Sequence, residues 1–294
     1  MKKQNLLLTM AFGALCASCT LNEEFPSDSP KAEMSPYSFN LYTRTADGNV
    51  EDSGDLTSLH AYAYGDGEFL SYFDISNYTT GSFQLNLPEK GDKKIYFLAN
   101  HTKLAGLSDN PSESQLQEQV HVAENSLDSA PLFLSGNASV AATGTTTDIT
   151  LTRSVARIDL NAGEDPLMSI TGVEISGTAD RTYIFGRSDY NIPAEAESVT
   201  YTKTLTTALQ GQADGASKQE GVFYVYENGT QPTKVTITGT YNGIATQVEA
   251  TCPANMKRNF IYTVKLGKVG QEITGTIVIA PWEDGGTIDA VPGF

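Results

Sequence analysis

Alternation of apolar and polar residues is the dominant pattern of this chain, and it is clearest from Asp148 to Leu160, DITLTRSVARIDL. Successive side chains of a strand point to opposite faces, so alternation with a period of two indicates half-buried strands. Ile149 and Leu151 share one face of a first run, and a second run alternates from Val155 to Leu160. We interpret this segment as the last strand of one β-domain running into the first strand of the next.

Further alternating runs lie on both sides of this segment, and turn residues separate them at regular spacing. The Asn242-Gly243 pair is the strongest hairpin signal, because both residue types accept the positive φ of a two-residue β-turn. A helical pattern is fair only over Leu116 to Val122, where we predict a helix. The clearest predicted strands are His60–Tyr64, Phe69–Phe73, Phe83–Leu87, Lys94–Asn100, Thr200–Leu205, Gly221–Tyr226, Lys234–Tyr241, Ile244–Thr251, Asn259–Leu266 and Ile273–Ile279. This arrangement predicts an all-β chain with two tandem β-sandwich domains.

The length of 294 residues suffices for two domains that each bury a core. We expect a signal peptide at 1–18, an N-terminal segment at 19–55, one β-sandwich at 56–152 and a second at 153–294. The N-terminal segment is rich in Ser, Pro, Glu and Asp, and we expect it to be weakly structured apart from one short strand.

Composition and charge narrow the classes of partner. The chain is 39% hydrophobic and 18% charged, which is typical of a globular protein. Lys and Arg number 19 against 35 Asp and Glu, a formal net charge of −16. Because phosphates must be met by a basic surface, this balance argues against a nucleic-acid partner and against adsorption to an anionic membrane by charge.

The first residues resemble a bacterial lipoprotein signal. Lys2 and Lys3 precede an apolar stretch from Leu6 to Leu15 that is too short to span a bilayer. Cys19 follows two small residues and fits the cysteine that is lipidated, by palmitate among other acyl chains, whereas Cys16 stands where such signals usually carry an aliphatic residue. An ordinary secretory signal is the alternative. Two or more acyl chains hold a protein stably at a membrane, so we expect a precursor anchored to the outer membrane.

Candidate catalytic and metal-binding residues do not emerge from the motifs. With Cys16 in the signal and Cys19 acylated, Cys252 is the remaining thiol, which excludes an intrachain disulfide and favours a small buried side chain. The three histidines, His60, His101 and His121, lack the spacing of a metal site. We therefore expect no catalytic residue, no metal and no cofactor, although the carboxylate pair of a hydrolase built on a β-sandwich would not show in sequence.

Ser38 to Thr43, SFNLYT, is the strand-like run of the N-terminal segment, and Arg44 follows it directly. A turn-forming sequence from Thr45 to Asn49 comes next. An arginine that enters an exposed turn is a candidate site for a trypsin-like protease, because exposed loops are where chains are nicked. The alternative is a surface arginine in a linker.

Six short motifs, taken in their order behind a lipoprotein signal, resemble the fimbrillin family. Its members are the pilins of lipoprotein-derived type V fimbriae in Bacteroides-like bacteria. The similarity spans nearly the whole mature chain. The motifs are KIYFLAN (94–100), PLFLSG (131–136), LTRSVARIDL (151–160), YVYEN (224–228), RNFIYTVKL (258–266) and PWxxGG (281–286).

This resemblance implies two tandem transthyretin-like β-sandwich domains and polymerisation by strand exchange. Family members lose an N-terminal strand to an arginine-specific protease, and a strand of one subunit then fills the exposed groove of the next. Ser38–Thr43 would be the removable strand, and Arg44 and Thr45 would flank the cut. The donor strand would be the C-terminal segment, alone or with Ile277–Ile279, unless that segment is the last strand of its own domain. The C-terminal donor residues are Thr287, Ile288, Asp289, Ala290 and Val291.

The expected function is therefore structural and adhesive: a non-enzymatic fimbrial subunit of the cell surface. Its partners would be other fimbrial subunits, in a homo- or heteropolymer, with a host protein or a glycan as adhesion target. A subunit that keeps its lipid would serve as an anchor. The alternative is a monomeric surface lipoprotein that binds a glycan or a host protein, for example by stacking sugars on Tyr62, Tyr64, Tyr72 and Tyr78.

Overall fold

Eighteen strands and one short helix make up the part of the chain that the computed structural model describes. The described residues are 33–44, 50–51, 56–76, 78, 82–89, 91–123, 132–141, 146–269 and 272–282. No helix among them is long and apolar enough to cross a membrane.

Several strands of the first half come from segments in which apolar residues alternate with polar ones, whereas Leu59–Gly65 and Lys93–Ala99 are buried on both faces. In the strand Ser82–Pro88, for example, Phe83, Leu85 and Leu87 are buried and the residues between them are exposed. The elements are β1 (Met34–Arg44), β2 (Val50–Glu51), β3 (Leu59–Gly65), β4 (Glu68–Asp74), β5 (Ser82–Pro88), β6 (Lys93–Ala99), α1 (Glu113–Gln117), β7 (Val120–Val122), β8 (Leu134–Val140) and β9 (Thr146–Arg153).

Eight of these strands form the first sheet system, in the order β2-β1-β9-β8-β6-β3-β4, with β5 paired to β1. The strand β9 runs parallel to β1 over Thr146 to Leu151 and then pairs with β8 through Thr152 and Arg153. One strand thus passes from one layer of the sandwich to the other. The core between the layers contains side chains from both, among them Phe39, Phe83 and Phe97.

The second half consists of strands from Ala156 onward. They are β10 (Ala156–Asn161), β11 (Met168–Ala179), β12 (Arg181–Tyr183), β13 (Ser198–Gln210), β14 (Lys218–Val225), β15 (Thr233–Tyr241), β16 (Ile244–Cys252), β17 (Phe260–Val269) and β18 (Glu272–Pro281). Two four-stranded sheets, β14-β10-β17-β18 and β13-β11-β15-β16, enclose a second core. The predicted all-β fold of two β-sandwiches is confirmed.

The two sandwiches also share packing. The short pair β7–β12 joins a strand from the first half to one from the second. A third apolar cluster contains Tyr96 and Phe133 from the first half together with Phe185, Tyr226 and Trp282 from the second. The boundaries at 56–152 and 153–294 stay a prediction.

The central segment folds as two strands with a short break. β9 ends at Arg153 and β10 begins at Ala156, and the two strands belong to different sheets. Ile149 and Leu151 are fully buried, as their alternation predicts. The predicted hairpin at Asn242-Gly243 is also present, joins β15 to β16, and has φ values of 50° and 76° at its two turn residues.

The helix predicted over Leu116 to Val122 is wrong in position. The helix α1 spans Glu113–Gln117, and residues 120–122 form β7 instead. Ser112 starts the helix with a capping box: its hydroxyl accepts from the backbone N–H of Gln115, and the Gln115 side chain accepts from the backbone N–H of Ser112. Pairing with β12 then holds the following residues extended, so tertiary contacts override a weak local helical pattern.

Candidate functional site

The first strand, β1, is bound on both of its edges. Residues Met34 to Asn40 pair antiparallel with β5, and residues Ser38 to Thr43 pair parallel with β9. In the described part of the chain, β5 has no strand partner other than β1. Removal of β1 would therefore leave unpaired backbone N–H and C=O groups on two neighbouring strands.

The inward face of β1 fills the first core with three large side chains. Tyr37, Phe39 and Leu41 are all less than 4% exposed. The ring of Phe39 stacks on Phe83 at 5.6 Å between centroids and meets the edge of Phe97 at 5.7 Å. Burial of side chains of this size contributes about 1.5–3 kcal/mol each, so the strand is an integral part of the core.

The Tyr37 end of β1 covers a buried lysine. Lys93, the first residue of β6, is 2% exposed, and its Nζ lies 4.9 Å from the centre of the Tyr37 ring. This ammonium group donates to the carbonyl oxygens of Gly91 at 2.6 Å and Glu89 at 3.5 Å. The Tyr37 hydroxyl donates to the same turn, at 3.1 Å from the Glu89 oxygen and 3.3 Å from that of Pro88. The ammonium group of Lys93 and the ring of Tyr37 thus form a cation–π contact at one end of β1.

The opposite face of β1 is polar. The Ser38 hydroxyl accepts a hydrogen bond from the Gln84 side chain at 3.1 Å. The Asn40 side chain donates to Asp148 at 3.1 Å and accepts from Ser82 at 3.0 Å. These bonds are exposed to solvent and contribute little to stability, so the strand is held by its backbone pairing and its apolar face.

Arg44 is the last residue of β1. Its Cα is paired with that of Val50 in β2, and the preceding residue, Thr43, is paired with both Glu51 and Leu151. Thr45 lies outside the described residues. A protease binds its substrate in an extended, accessible form, so access to the bond after Arg44 requires this end of the β1–β2 pair to open locally.

The last strand, β18, is paired along one edge, with β17. It contains Ile277–Ile279, and its side chains are half-buried or exposed, with Ile279 41% exposed. The residue that follows, Trp282, is buried between Tyr224, stacked at 5.7 Å, and the guanidinium of Arg153, at 4.5 Å from the ring. The C-terminal segment therefore leaves the described part of the chain beside the end of β9.

Two of the sequence-predicted sites lie outside the described residues: the lipidation site Cys19 and the donor segment Thr287 to Val291. The predicted removable strand, Ser38–Thr43, is present as the second half of β1. Four residues from Met34 to Tyr37 extend it, and sequence analysis missed them although Tyr37 continues the alternation of Phe39 and Leu41. Pro36 interrupts that pattern, because proline is rare inside paired strands.

The tyrosines considered for sugar stacking are largely inside the protein. Tyr62, Tyr64 and Tyr78 are at most 9% exposed. Tyr72 is half-buried, its hydroxyl is 2.9 Å from Nδ1 of His60, and the ammonium of Lys103 lies 4.3 Å from its ring centre. Burial raises the pKa of Tyr72 to about 12. Stacking on a glycan requires an open ring face, which the three buried tyrosines do not present.

The histidines and the cysteine are packing residues. His60 is buried and donates from Nε2 to the carbonyl of His101 at 2.9 Å, and Nδ1 of His121 is 2.9 Å from the Tyr226 hydroxyl. Cys252 is a free, fully buried thiol whose pKa burial raises to about 12. Within the described ranges, no three His, Cys, Asp or Glu side chains are grouped so that they would hold a metal ion.

Two largely buried charge pairs lie in the second half, and the sequence motifs did not indicate them. Arg258 and Glu227 form a buried ion pair, and Arg258 also donates to Thr182 Oγ1 at 2.8 Å and to the Tyr183 carbonyl at 2.9 Å. Asp159 accepts from Arg157 at 2.9 Å. Burial raises the pKa of Asp159, although the bond from Arg157 opposes that shift. The Arg258–Glu227 pair joins residues distant in sequence, so no local pattern reveals it, whereas Arg157 and Asp159 are two residues apart and the alternation of β10 places them on one face.

Comparison with known proteins gives a match at the level of structure. No protein-family model matches the sequence, and no curated protein matches it either. Three solved structures are similar over 84–86% of this chain and 97–100% of their own. They are a fimbrial assembly protein of Parabacteroides distasonis (14% identity, TM-score 0.58), the tip fimbrial protein Mfa3 of Porphyromonas gingivalis with a C-terminal truncation (14%, 0.59) and a fimbrilin of Porphyromonas gingivalis (14%, 0.57). The chain has the fold of these fimbrial proteins.

Proposed function

We propose that this chain is a member of the fimbrillin family and a structural subunit of a cell-surface fimbrium. In this proposal it is exported as a lipoprotein, acylated at Cys19 and held at the outer membrane until a protease cuts after Arg44. The cut releases β1 together with the lipid anchor, and a strand of another subunit takes the place of β1. The role is mechanical and adhesive rather than catalytic.

The position of β1 is the observation that supports this proposal. The strand contributes three buried side chains and pairs along both edges, and it also precedes every other described strand. One cut after Arg44 therefore separates the anchor and the strand together from the remaining fold. A strand with this much buried surface leaves a groove that a second chain can fill with the same backbone pairing.

The other end of the chain supplies the proposed donor. Thr287 to Val291 follow Trp282, and Ile288, Ala290 and Phe294 alternate with other residues as a strand in a groove requires. We propose that this segment fills the groove of a neighbouring subunit. Partners are then fimbrial subunits first, and a host protein or glycan only as the target of the assembled fibre.

N-terminal sequencing and intact mass of the protein recovered from the cell surface test the proposal, with the Arg44→Ala variant beside the wild type. We expect a mature chain that starts at Thr45, together with SDS-resistant ladders of high mass, and we expect the variant to lose both. Arg44→Lys is the matched control, since it keeps the positive charge and removes the side chain that an arginine-specific protease reads.

A chain that begins at acylated Cys19 in wild type and variant alike would contradict processing at Arg44. It would favour a subunit that keeps its lipid as an anchor, or a monomeric surface lipoprotein. Ladders that persist in the Arg44→Ala variant would contradict the link between processing and assembly.

A further inference from the structure

The groove beneath β1 has a defined shape, because its three filled positions differ in what surrounds them. At the Tyr37 position, a ring lies over the buried ammonium of Lys93 and a hydroxyl reaches the Glu89 carbonyl. At the Phe39 position, one ring lies among two others, Phe83 and Phe97. An occupant that keeps these contacts needs an aromatic residue at two alternating positions and a large aliphatic residue at the third.

Of the three positions, that of Phe39 in the middle restricts the side chain of an inserted strand most. Phe39 is 0% exposed, and Phe83 lies directly opposite it in the pairing of β1 with β5. A small residue there would leave a cavity lined by aromatic rings, since packed cores relax only in part around a lost side chain. The occupant is therefore selected chiefly at this position.

The C-terminal segment of this chain does not meet that demand. Between Glu283 and Phe294 the one aromatic residue is Phe294 itself, so no register in which residues 283–294 fill all three positions, in either direction, places an aromatic residue in the middle. When Ile288 takes the middle position, Gly286 and Ala290 flank it. When Phe294 takes an outer position, the middle residue is Pro292, which also lacks the N–H needed for strand pairing.

The strand β18 also lacks the aromatic residue that the middle position of the groove requires. Its residues from Glu272 to Pro281 contain no aromatic side chain, and its backbone already pairs with β17. The first strand of the chain has the aromatic, aromatic, aliphatic sequence at alternate positions, whereas the last strands carry small and β-branched residues. The groove and the donor of this chain are thus of different types.

We propose that the groove beneath β1 selects a strand of a different protein, one that carries aromatic residues at two alternating positions followed by a large aliphatic residue. Lys93 and the pair Phe83 and Phe97 are the residues that set this specificity. This inference rests on the proposed exchange of β1. It implies that copies of this chain do not polymerise by inserting residues 283–294 into one another, so the subunit has a fixed place beside a different subunit.

A competition between two peptides tests this specificity. A site for a sequence-specific protease is introduced into residues 45–49 of the chain that lacks only the predicted signal peptide (residues 19–294), and the purified protein is nicked there. The nicked protein is unfolded in urea, the released fragment that contains β1 is removed, and the remaining chain is refolded with an equimolar mixture of a peptide of residues 33–44 and a peptide of residues 283–294. Native mass spectrometry then measures which peptide occupies the groove.

We expect the peptide of residues 33–44 to occupy the groove in at least about hundredfold excess, the lower bound expected when a buried phenylalanine is exchanged for a small residue. The Phe39→Ala version of this peptide should lose most of that advantage. The Ser38→Ala version is the matched control, because Ser38 lies on the polar face, and it should bind like the parent peptide. A 283–294 peptide with the substitutions I288Y, A290F and P292L should gain occupancy.

Equal occupancy by the two unmodified peptides would overturn the inference. So would cross-links that place residues 283–294 of the chain itself in the groove after refolding. Because the nick is engineered, this ratio does not depend on cleavage at Arg44 in cells. A cell-surface protein that is never processed would contradict the proposed function and leave the measured selectivity standing, so the two failures are distinguishable.

Discussion

The first and last described strands differ in how they belong to their sandwiches. β1 pairs along both edges and buries Tyr37, Phe39 and Leu41 almost completely. β18 pairs along one edge with β17, and none of its side chains is fully buried. Both strands lie near an end of the chain, yet one is part of a core and the other covers the margin of a sheet.

This difference determines which of the two strands, β1 or β18, must be replaced if it is removed from the fold. A chain that loses β1 loses core volume and leaves two strands without a partner, so it needs an occupant. A chain that loses β18 exposes one edge of β17 and the part of the second core against which Ile273 and Ile277 pack. Strand exchange is thus a structural necessity for the first sandwich if β1 is released, and the second sandwich has no comparable need.

The largest effect that this comparison predicts is that of Phe39→Ala in the intact chain. We expect the free energy of unfolding of the first sandwich to fall by about 3–5 kcal/mol, because the substitution removes a fully buried ring from a packed aromatic cluster. Urea denaturation followed by circular dichroism measures the loss.

Ser38→Ala, on the polar face of the same strand, is the control for this prediction. It should change the free energy of unfolding by less than about 0.5 kcal/mol, as is usual for surface substitutions. A loss below about 1 kcal/mol for Phe39→Ala, less than is typical for a point substitution, would show that β1 does not fill the core as the contacts imply.

Ile277→Ala in β18 should have a smaller effect. The side chain is half-buried and packs against the second core, so we expect a loss of about 1–2 kcal/mol, below the range for fully buried positions. The same denaturation experiment measures it. If Ile277→Ala costs as much as Phe39→Ala, the contrast between an integral first strand and a marginal last strand is wrong.

Local sequence signals predicted much of this fold and only part of the candidate site. The hairpin at Asn242-Gly243 and the strand after Ser38 follow from backbone preference and alternation, both of which are local properties. Lys93 does not, because lysine is rarely buried and the Tyr37 ring that covers its ammonium group is brought close by the fold. The packing between the sandwiches was missed for the same reason, since Tyr96 and Phe185 meet only in the folded chain.

The pH dependence of stability should separate the two halves further, because each holds a carboxyl group whose pKa moves in a different direction. Hydrogen bonds from Lys94 and Tyr96 lower the pKa of Glu113 from its usual 4.5. Burial raises the pKa of Asp159 from its usual 3.8. A carboxyl group whose pKa is lowered by folding stabilises the fold at pH values above its unfolded-state pKa, and this stabilisation is lost as pH falls through its folded-state pKa. A carboxyl group whose pKa is raised by folding stabilises the fold at low pH, and this stabilisation is lost as pH rises through its folded-state pKa.

Measurements on the variants Glu113→Gln and Asp159→Asn test these opposite pH dependences of stability. Between about pH 3 and pH 7, the free energy of unfolding of the wild type relative to Glu113→Gln should rise with pH, because the ionised carboxylate keeps its hydrogen bonds from Lys94 and Tyr96. Relative to Asp159→Asn it should fall over the same range, because the wild type must ionise a buried group and the amide need not. Both effects should be small beside that of Phe39→Ala. Parallel slopes for the two variants would show that burial at Asp159 does not outweigh its bond to Arg157.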